Sequence, residues 1–447
     1  MKWIFALYIT LSSLAFSQTV KILTLEEALQ MGKENNRMLR VSTSKMDAAS
    51  ARASEAHAML LPSLKLEASY RRLSDVDPFQ VNVPIFPTPI TIGDIVLNTY
   101  ATRVVLQQPL FTGFRLRSNA RAAEYLAEAA AHDKESETLD VTLNVTNAYW
   151  MLYQTLETKK FADENVARIG SYEKDTENLM KAGMATRNDL LKIQVQLNSA
   201  RLLQIDAAND VRVATMNLNN ILSLPLETEM QLASSPAEKR APEDTVAPPD
   251  LVSRALVSRP DLMAMHSRVE ASKAAVSAAQ GSFWPQLFLA GGYSYNRPNA
   301  RYQPTRDQFK SSWEIGIQMQ FDIWNWGATS YQSDQARASL QQSEYLFDQM
   351  KDNISLEVQR SYLNVQQARE KVNVARVAIE QAVESNRTTN DKYRNGLATS
   401  SEVLDASVAL LQARTNLSGA LVEYELASAR MTRAIGGDAS AQMKRFE

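Results

Sequence analysis

Two proline-free runs, Arg115 to Ala182 and Gly327 to Asn395, constrain this chain more than any other feature. In the second, Ile354, Val358, Ser361, Val365, Ala368, Val372, Ala375, Ile379 and Ala382 fall at alternating steps of four and three. That spacing is a heptad seam, one apolar stripe along a single long helix. The first run carries the same seam 213 residues earlier: Val141, Val145, Ala148, Leu152, Thr155, Lys159, Ala162, Val166 and Ile169, with Lys159 the one misfit. At about 1.5 Å per residue each run predicts a rod about 100 Å long. Such a rod cannot curl around one globular core.

The segments around the rods repeat as well. Each rod is broken by a glycine (Gly183, Gly396) and followed by a return helix, to about Leu222 and to about Ile435. Tyr149 and Tyr362, and Arg201 and Arg414, keep the same offset of 213 residues. Pro62 and Pro285 are 223 apart, so the first repeat has ten extra residues, placed in its loop, as a true duplication would have them. All fifteen prolines lie outside the rods and their return helices.

Before each rod the period changes from helical to two. Leu64, Leu66, Ala68 and Tyr70 alternate with Lys65, Glu67 and Ser69, and Thr102, Val104 and Leu106 alternate less cleanly because of Val105. In the second repeat Leu287, Leu289, Gly291 and Tyr293 share one face. Trp313, Ile315, Ile317, Met319 and Phe321 oppose Glu314, Gly316, Gln318, Gln320 and Asp322. These are strands with one apolar and one polar face. The expected organisation is a signal peptide (1–17), a first repeat (18–224; strands near 63–71 and 100–108, hairpin near 115–222), and a linker (225–249). A second repeat (250–437; strands near 286–295 and 313–322, hairpin near 327–435) and a tail (438–447) follow.

The signal peptide is read from Lys2, the apolar stretch Trp3 to Phe16, and the small-residue site Ala15-Phe16-Ser17. No other apolar run reaches 18 residues, so membrane insertion falls to the strands. Strands of eight to ten residues suit a tilted barrel span, and Trp284, Trp313, Trp324 and Trp326 sit at or near strand ends. The polar faces suit a water-filled lumen, the alternative being a soluble four-stranded sheet packed on helices. Four strands cannot close a barrel whose smallest members have about eight, so several chains must share one. The net charge of −2 gives no nucleic-acid surface, and the absence of cysteine excludes disulfides, thiol chemistry and cysteine zinc sites. His57, His132 and His266 are scattered, with no catalytic, cofactor or metal spacing.

Several motifs then carry a family resemblance. They are Leu25-Glu-Glu-Ala-Leu29, Pro109-Leu-Phe-Thr-Gly113, Arg259-Pro-Asp-Leu262, Trp324-Asn-Trp-Gly327 and Tyr393-Arg-Asn-Gly-Leu-Ala-Thr-Ser-Ser-Glu402 running on to Asp405. Together with the order helix–strand–loop–strand–long helix–return helix, twice over, the chain resembles the TolC-type outer-membrane efflux family. The resemblance implies a mainly α fold with a membrane β-barrel portion. It also implies a homotrimer forming a 12-stranded barrel and a 12-helix periplasmic tunnel, and docking to a periplasmic adaptor and an inner-membrane transporter. The expected place is the bacterial outer membrane, in contact with its lipid, with the tunnel in the periplasm. No cofactor is implied. The function implied is a passive exit duct for tripartite efflux. The alternatives are the duct of type I protein secretion and, from another class, a secreted soluble coiled-coil scaffold.

The candidate sites lie at the two hairpin tips. Gly183, Met184, Ala185 and Thr186 match Gly396, Leu397, Ala398 and Thr399. The glycines are explained by the helix reversal alone. Met184 and Leu397 have no obvious local core, and by resemblance these tips meet the adaptor. Glu402 and Asp405 share one face of the last helix. Glu402 also completes a capping box with Thr399, but by resemblance both acids ring the channel's narrow mouth. The resemblance further assigns links holding the mouth shut to Tyr393 and Asp189. The basic partner's position is Ala398 here, which leaves Arg187 or Arg394 as substitutes.

Overall fold

A computed structural model describes residues 21–77, 79–82, 84–236 and 248–437. The expected signal peptide, the C-terminal tail and the middle of the linker lie outside the described residues. In chain order the elements are β1 (Lys21–Leu23), α1 (Leu25–Asn35), α2 (Arg37–Ala58), β2 (Ser63–Arg72), β3 (Gln80–Val81), β4 (Ile90–Thr91) and β5 (Asn98–Phe111). Then come α3 (Arg115–Lys181), α4 (Arg187–Ile221), β6 (Met230–Leu232), α5 (Pro248–Ser258) and α6 (Pro260–Gln280). The last are β7 (Gln286–Arg297), β8 (Lys310–Gln320), α7 (Ala328–Arg394) and α8 (Ser400–Ala434). The chain divides into two compact units, and α2, α3 and α7 each have residues in both.

One unit comprises residues 42–134 and 260–351. Its centre is an antiparallel sheet in the order β2-β5-β7-β8, so β2 and β8 are both open edges. Leu66, Val104, Tyr293 and Trp313 lie side by side across the four strands, and so do Lys65, Val105, Gly292 and Glu314 on the opposite face. Arg103 reaches over Gly292, where any side chain would meet its guanidinium, to pair with Glu314. The apolar face has no cover from the chain itself: Leu64, Leu66, Trp313, Ile315 and Ile317 are all exposed. The strands exceed their expected bounds, most of all β5. It carries a register shift at Pro109, which has no N–H for the ladder, before it ends. The corner after it depends on Gly113 (φ +59), where a Cβ would lie 2.2 Å from the Gly281 carbonyl oxygen. The helix expected to run to Phe283 stops at Gln280 and tightens into a 3₁₀ turn over Gly281–Phe283.

The other unit comprises the described residues of 1–41, 135–259 and 352–447. Here both predicted seams are buried: Val141, Val145, Ala148 and Leu152 on α3, and Ile354, Val358, Ala368 and Val372 on α7. The misfit Lys159 is partly exposed and pairs with Asp163 one turn on at 2.8 Å. That bond holds the Asp163 carboxyl below its usual range. The linker is not structureless, because its segment β6 pairs in parallel with β1. Tyr149 sits beneath this pair, its hydroxyl donating to the Leu23 carbonyl (3.1 Å) and accepting from the Ser234 N–H (3.0 Å). Arg259 is buried with its guanidinium 2.6 Å from Glu357 and 3.2 Å from the Ala434 carbonyl. Arg433 bridges the same Glu357 to Asp140 at 3.4 and 2.8 Å. No described helix is long and apolar enough to cross a membrane.

Candidate functional site: the hairpin tips

The two reversals are built by the same backbone hydrogen bonds. After α3 the N–H groups of Gly183 and Met184 donate to the Met180 and Leu179 carbonyls (3.0 and 2.8 Å). After α7 those of Gly396 and Leu397 donate to Tyr393 and Lys392 at the same distances. This closing pattern needs a left-handed residue, and Gly183 and Gly396 supply it at φ +76 and +71. Thr186 and Thr399 then cap the return helices. Each accepts from the N–H three residues on, while the carboxylate there, Asp189 or Glu402, reaches back to the cap N–H.

The structure therefore gives Glu402 its local role: its Oε2 accepts from the Thr399 N–H (2.7 Å) and hydroxyl (3.0 Å). Those two bonds, the backbone one first, hold its carboxyl below the usual range. Asp405 is exposed one turn further, and among the described residues no hydrogen bond or ion pair engages it. The repeat positions of these acids are Asp189 and Lys192, so only the second hairpin carries two negative charges here. Asp189 does more than cap. Its Oδ2 accepts from Thr186 and its Oδ1 from the Ser400 hydroxyl at 2.9 Å, which ties the start of α4 to the start of α8. Its carboxyl is held low by the Thr186 side chain first, then the Thr186 N–H and Ser400.

Tyr393 and Asp189, paired in expectation, make separate contacts. Tyr393 is buried in a cluster with Ile169, Tyr172, Ile193 and Val403, and its hydroxyl bonds that of Thr176. Burial raises its pKa. Ala398, at the position of the expected basic residue, packs against this same cluster, so a charge there would be forced into an apolar setting. Of the two candidate substitutes, Arg394 faces Asp175 at 3.5 Å, whereas Arg187 is exposed. Thr176, Asp175 and Ser400 have no sequence signal of their own. Ser400 corresponds in the repeat to Arg187, and the duplication hides the pairing rather than announcing it.

Where α3 faces α7 near the tips, the packing is poorly satisfied. Arg168 Nη1, Asp175 Oδ2, Asn386 Nδ2 and Asn390 Oδ1 are buried without a hydrogen bond. Burial lowers the pKa of Arg168. Each such group costs about 1–3 kcal/mol, so this stretch of the seam is weak by comparison with the aliphatic seam above it. At the very end, Met184 and Leu397 are 63% and 77% exposed, and the Met184 methyl lies against Gly396, where a Cβ would be 3.0 Å from it. The two tips thus present one shared apolar surface. Among the described residues no group of His, Cys, Asp and Glu could hold a metal ion.

The chain is similar along its length to known proteins. Over 439 residues it is 22% identical to the outer membrane protein TolC of Vibrio cholerae, covering 98% of this chain and 96% of that one. It is 23% identical over 340 residues to the alkaline protease secretion protein AprF of Pseudomonas aeruginosa, covering 75% and 69%. The fold superposes on the CmeC outer membrane channel of Campylobacter jejuni with a TM-score of 0.79 at 17% identity, over 94% of this chain and 88% of that one. The family model for outer membrane efflux proteins matches residues 28–223 and 251–437, the two halves of the duplication. This chain belongs to the outer membrane efflux protein family.

Proposed function

We propose that this protein is the outer-membrane duct of an efflux system, built from three copies that share one barrel and one helical tunnel. The carrying observation is the four-stranded sheet with its two open edges and uncovered apolar face. Exposed edges and apolar faces of this kind recruit partners or lipid. Because β2 and β8 are different strands, copies join head to tail, and a head-to-tail contact closes into a ring. Three copies supply twelve strands, enough for a barrel.

The helices support the same ring. Leu191, Val195, Leu202, Ile205 and Met216 form an exposed stripe of heptad spacing on α4, and Leu356, Leu363, Val374 and Val377 form another on α7. The α7 stripe is displaced two residues from its buried seam, about 200° around the helix. A helix apolar on two opposite faces needs two partners, and this chain supplies one. A neighbouring copy supplies the other.

In this reading the strands sit in the outer membrane and the helices extend into the periplasm. The tips close the inner mouth and, through Met184 and Leu397, receive a periplasmic adaptor coupled to an inner-membrane transporter. Glu402 and Asp405 line the mouth, six carboxylates in three copies, and favour cations. Tyr393, Asp189 and Arg394 hold the closed tips. Likeness to AprF, a protease secretion protein, favours a second reading of the same duct, protein export. Identifying the transporter that copurifies separates the two. The test of the duct is the native mass in mild detergent: three copies are expected, and a monomer soluble without detergent would refute it.

A further inference from the structure

The loop from β2 to β5, residues 73–97, leaves the sheet at the end away from the strand–helix corners. Its composition does not suit water. Nearly half its residues are Val, Ile, Leu or Phe, and no Lys or Arg occurs between Arg72 and Arg103. Phe79, Ile85 and Phe86 are 69%, 85% and 57% exposed, and Val76 and Ile92 are exposed too. These side chains cannot retreat, because the loop is held. Strand β3 pairs with β4, and the Ile92 N–H donates to the Phe79 carbonyl (2.9 Å). Asp94 ties it to the β7–β8 loop, accepting from the Asp307 N–H (3.0 Å) and donating its own N–H to the Thr305 carbonyl (2.9 Å). Asp307 is in turn gripped by Arg297 through two bonds of 2.6 and 2.7 Å.

An ordered, apolar, exposed loop needs an occupant. Its only charges are Asp75, Asp77 and Asp94, so an anionic lipid surface would repel it. The start of β8 is the reverse: Arg301, Arg306 and Lys310 are exposed there, beside the half-exposed rings of Tyr302 and Phe309. Since β2 and β8 are the two open edges, joining copies through them brings the acidic apolar loop of one against the basic start of β8 in the next. We propose that the 73–97 loops pack on neighbouring copies and meet over the outer mouth, forming an apolar collar. It is a second gate, distinct from the tips, and closes by excluding water. This rests on the shared-barrel reading above.

The chain has no cysteine, so engineered thiols report cleanly. Ile85→Cys should form disulfide-linked dimers when membranes are oxidised with copper phenanthroline. Ser69→Cys, on the polar face of β2 near its outer end, should react about tenfold more slowly with a bulky impermeant maleimide added to cells than when Phe79, Ile85 and Phe86 are also changed to serine. The three serines replace exposed side chains, so folding is not at stake. An unchanged labelling rate in a protein of three-copy native mass overturns the collar, whether or not cross-links form. A monomeric mass in detergent overturns the shared barrel, and the collar with it.

Discussion

Asp189 joins two things that a single substitution can separate: the cap of α4 and the hydrogen bond that ties α4 to α8. Asp189→Ala removes the cap, at about 1 kcal/mol. It also strips the Ser400 hydroxyl, 4% exposed, of the carboxylate it donates to. An unsatisfied buried hydroxyl costs about 1–3 kcal/mol, taken at the low end because Asp189 itself is in contact with water. The sum is about 2 kcal/mol, or roughly thirtyfold faster amide exchange in the first turns of both helices if the tips open locally. Ser400→Ala should cost less, about 0.5–1 kcal/mol, because it deletes donor and need together. The double variant should then resemble Asp189→Ala alone, since the stranded hydroxyl is gone. Hydrogen exchange with mass readout on the detergent-solubilised protein measures all three. Strict additivity, or acceleration confined to α4, would refute the cross-hairpin bond. The pH dependence follows with its sign. The folded pKa of Asp189 lies below the ordinary 3.8, so its stabilisation is fully present above that value and is lost as pH falls through the folded pKa. The acid-induced acceleration should vanish in Asp189→Asn.

Met184→Ser with Leu397→Ser should leave the native mass unchanged but weaken docking of the periplasmic adaptor at least about tenfold, as burial of two apolar side chains is lost; surface plasmon resonance with the purified adaptor reads this. Asp405→Asn should reduce the cation preference of the reconstituted channel more than Glu402→Gln does, because Glu402 already spends its charge on the Thr399 cap. Reversal potentials under a salt gradient decide the order. Arg259→Met should destabilise by about 2 kcal/mol in thermal unfolding, below the cost of breaking a fully buried pair because Glu357 is 43% exposed and keeps Arg433.

The long-range plan was legible in the sequence because it is periodic. The heptad stripe on α7 and its copy on α3 are the buried seams, and the glycines at 183 and 396 are the reversals. The capping box at Thr399 was equally readable, since its parts are three residues apart. What escaped depends on residues distant in the chain and short in extent. Strand β6 has three residues and pairs with β1 some two hundred positions away, too little for any period to register. Tyr393 was singled out, but its partner Thr176 lies on another helix with nothing to mark it. The second stripe of α7 was in plain view yet unread, because an apolar residue gains meaning only when one knows which face the chain leaves uncovered.

The reversals themselves have a consequence for evolution after duplication. Both turns are held by backbone groups and one glycine, so side chains around them were free to diverge without losing the bend. They did diverge: Met184 against Leu397, Lys192 against Asp405, Arg187 against Ser400. In a ring of three copies, six turns of one shape would alternate between two chemistries. A partner offering six identical arms would meet two kinds of seat in strict alternation. Half its arms would engage a cationic rim and half an anionic one, so recognition would be threefold while the architecture is nearly sixfold.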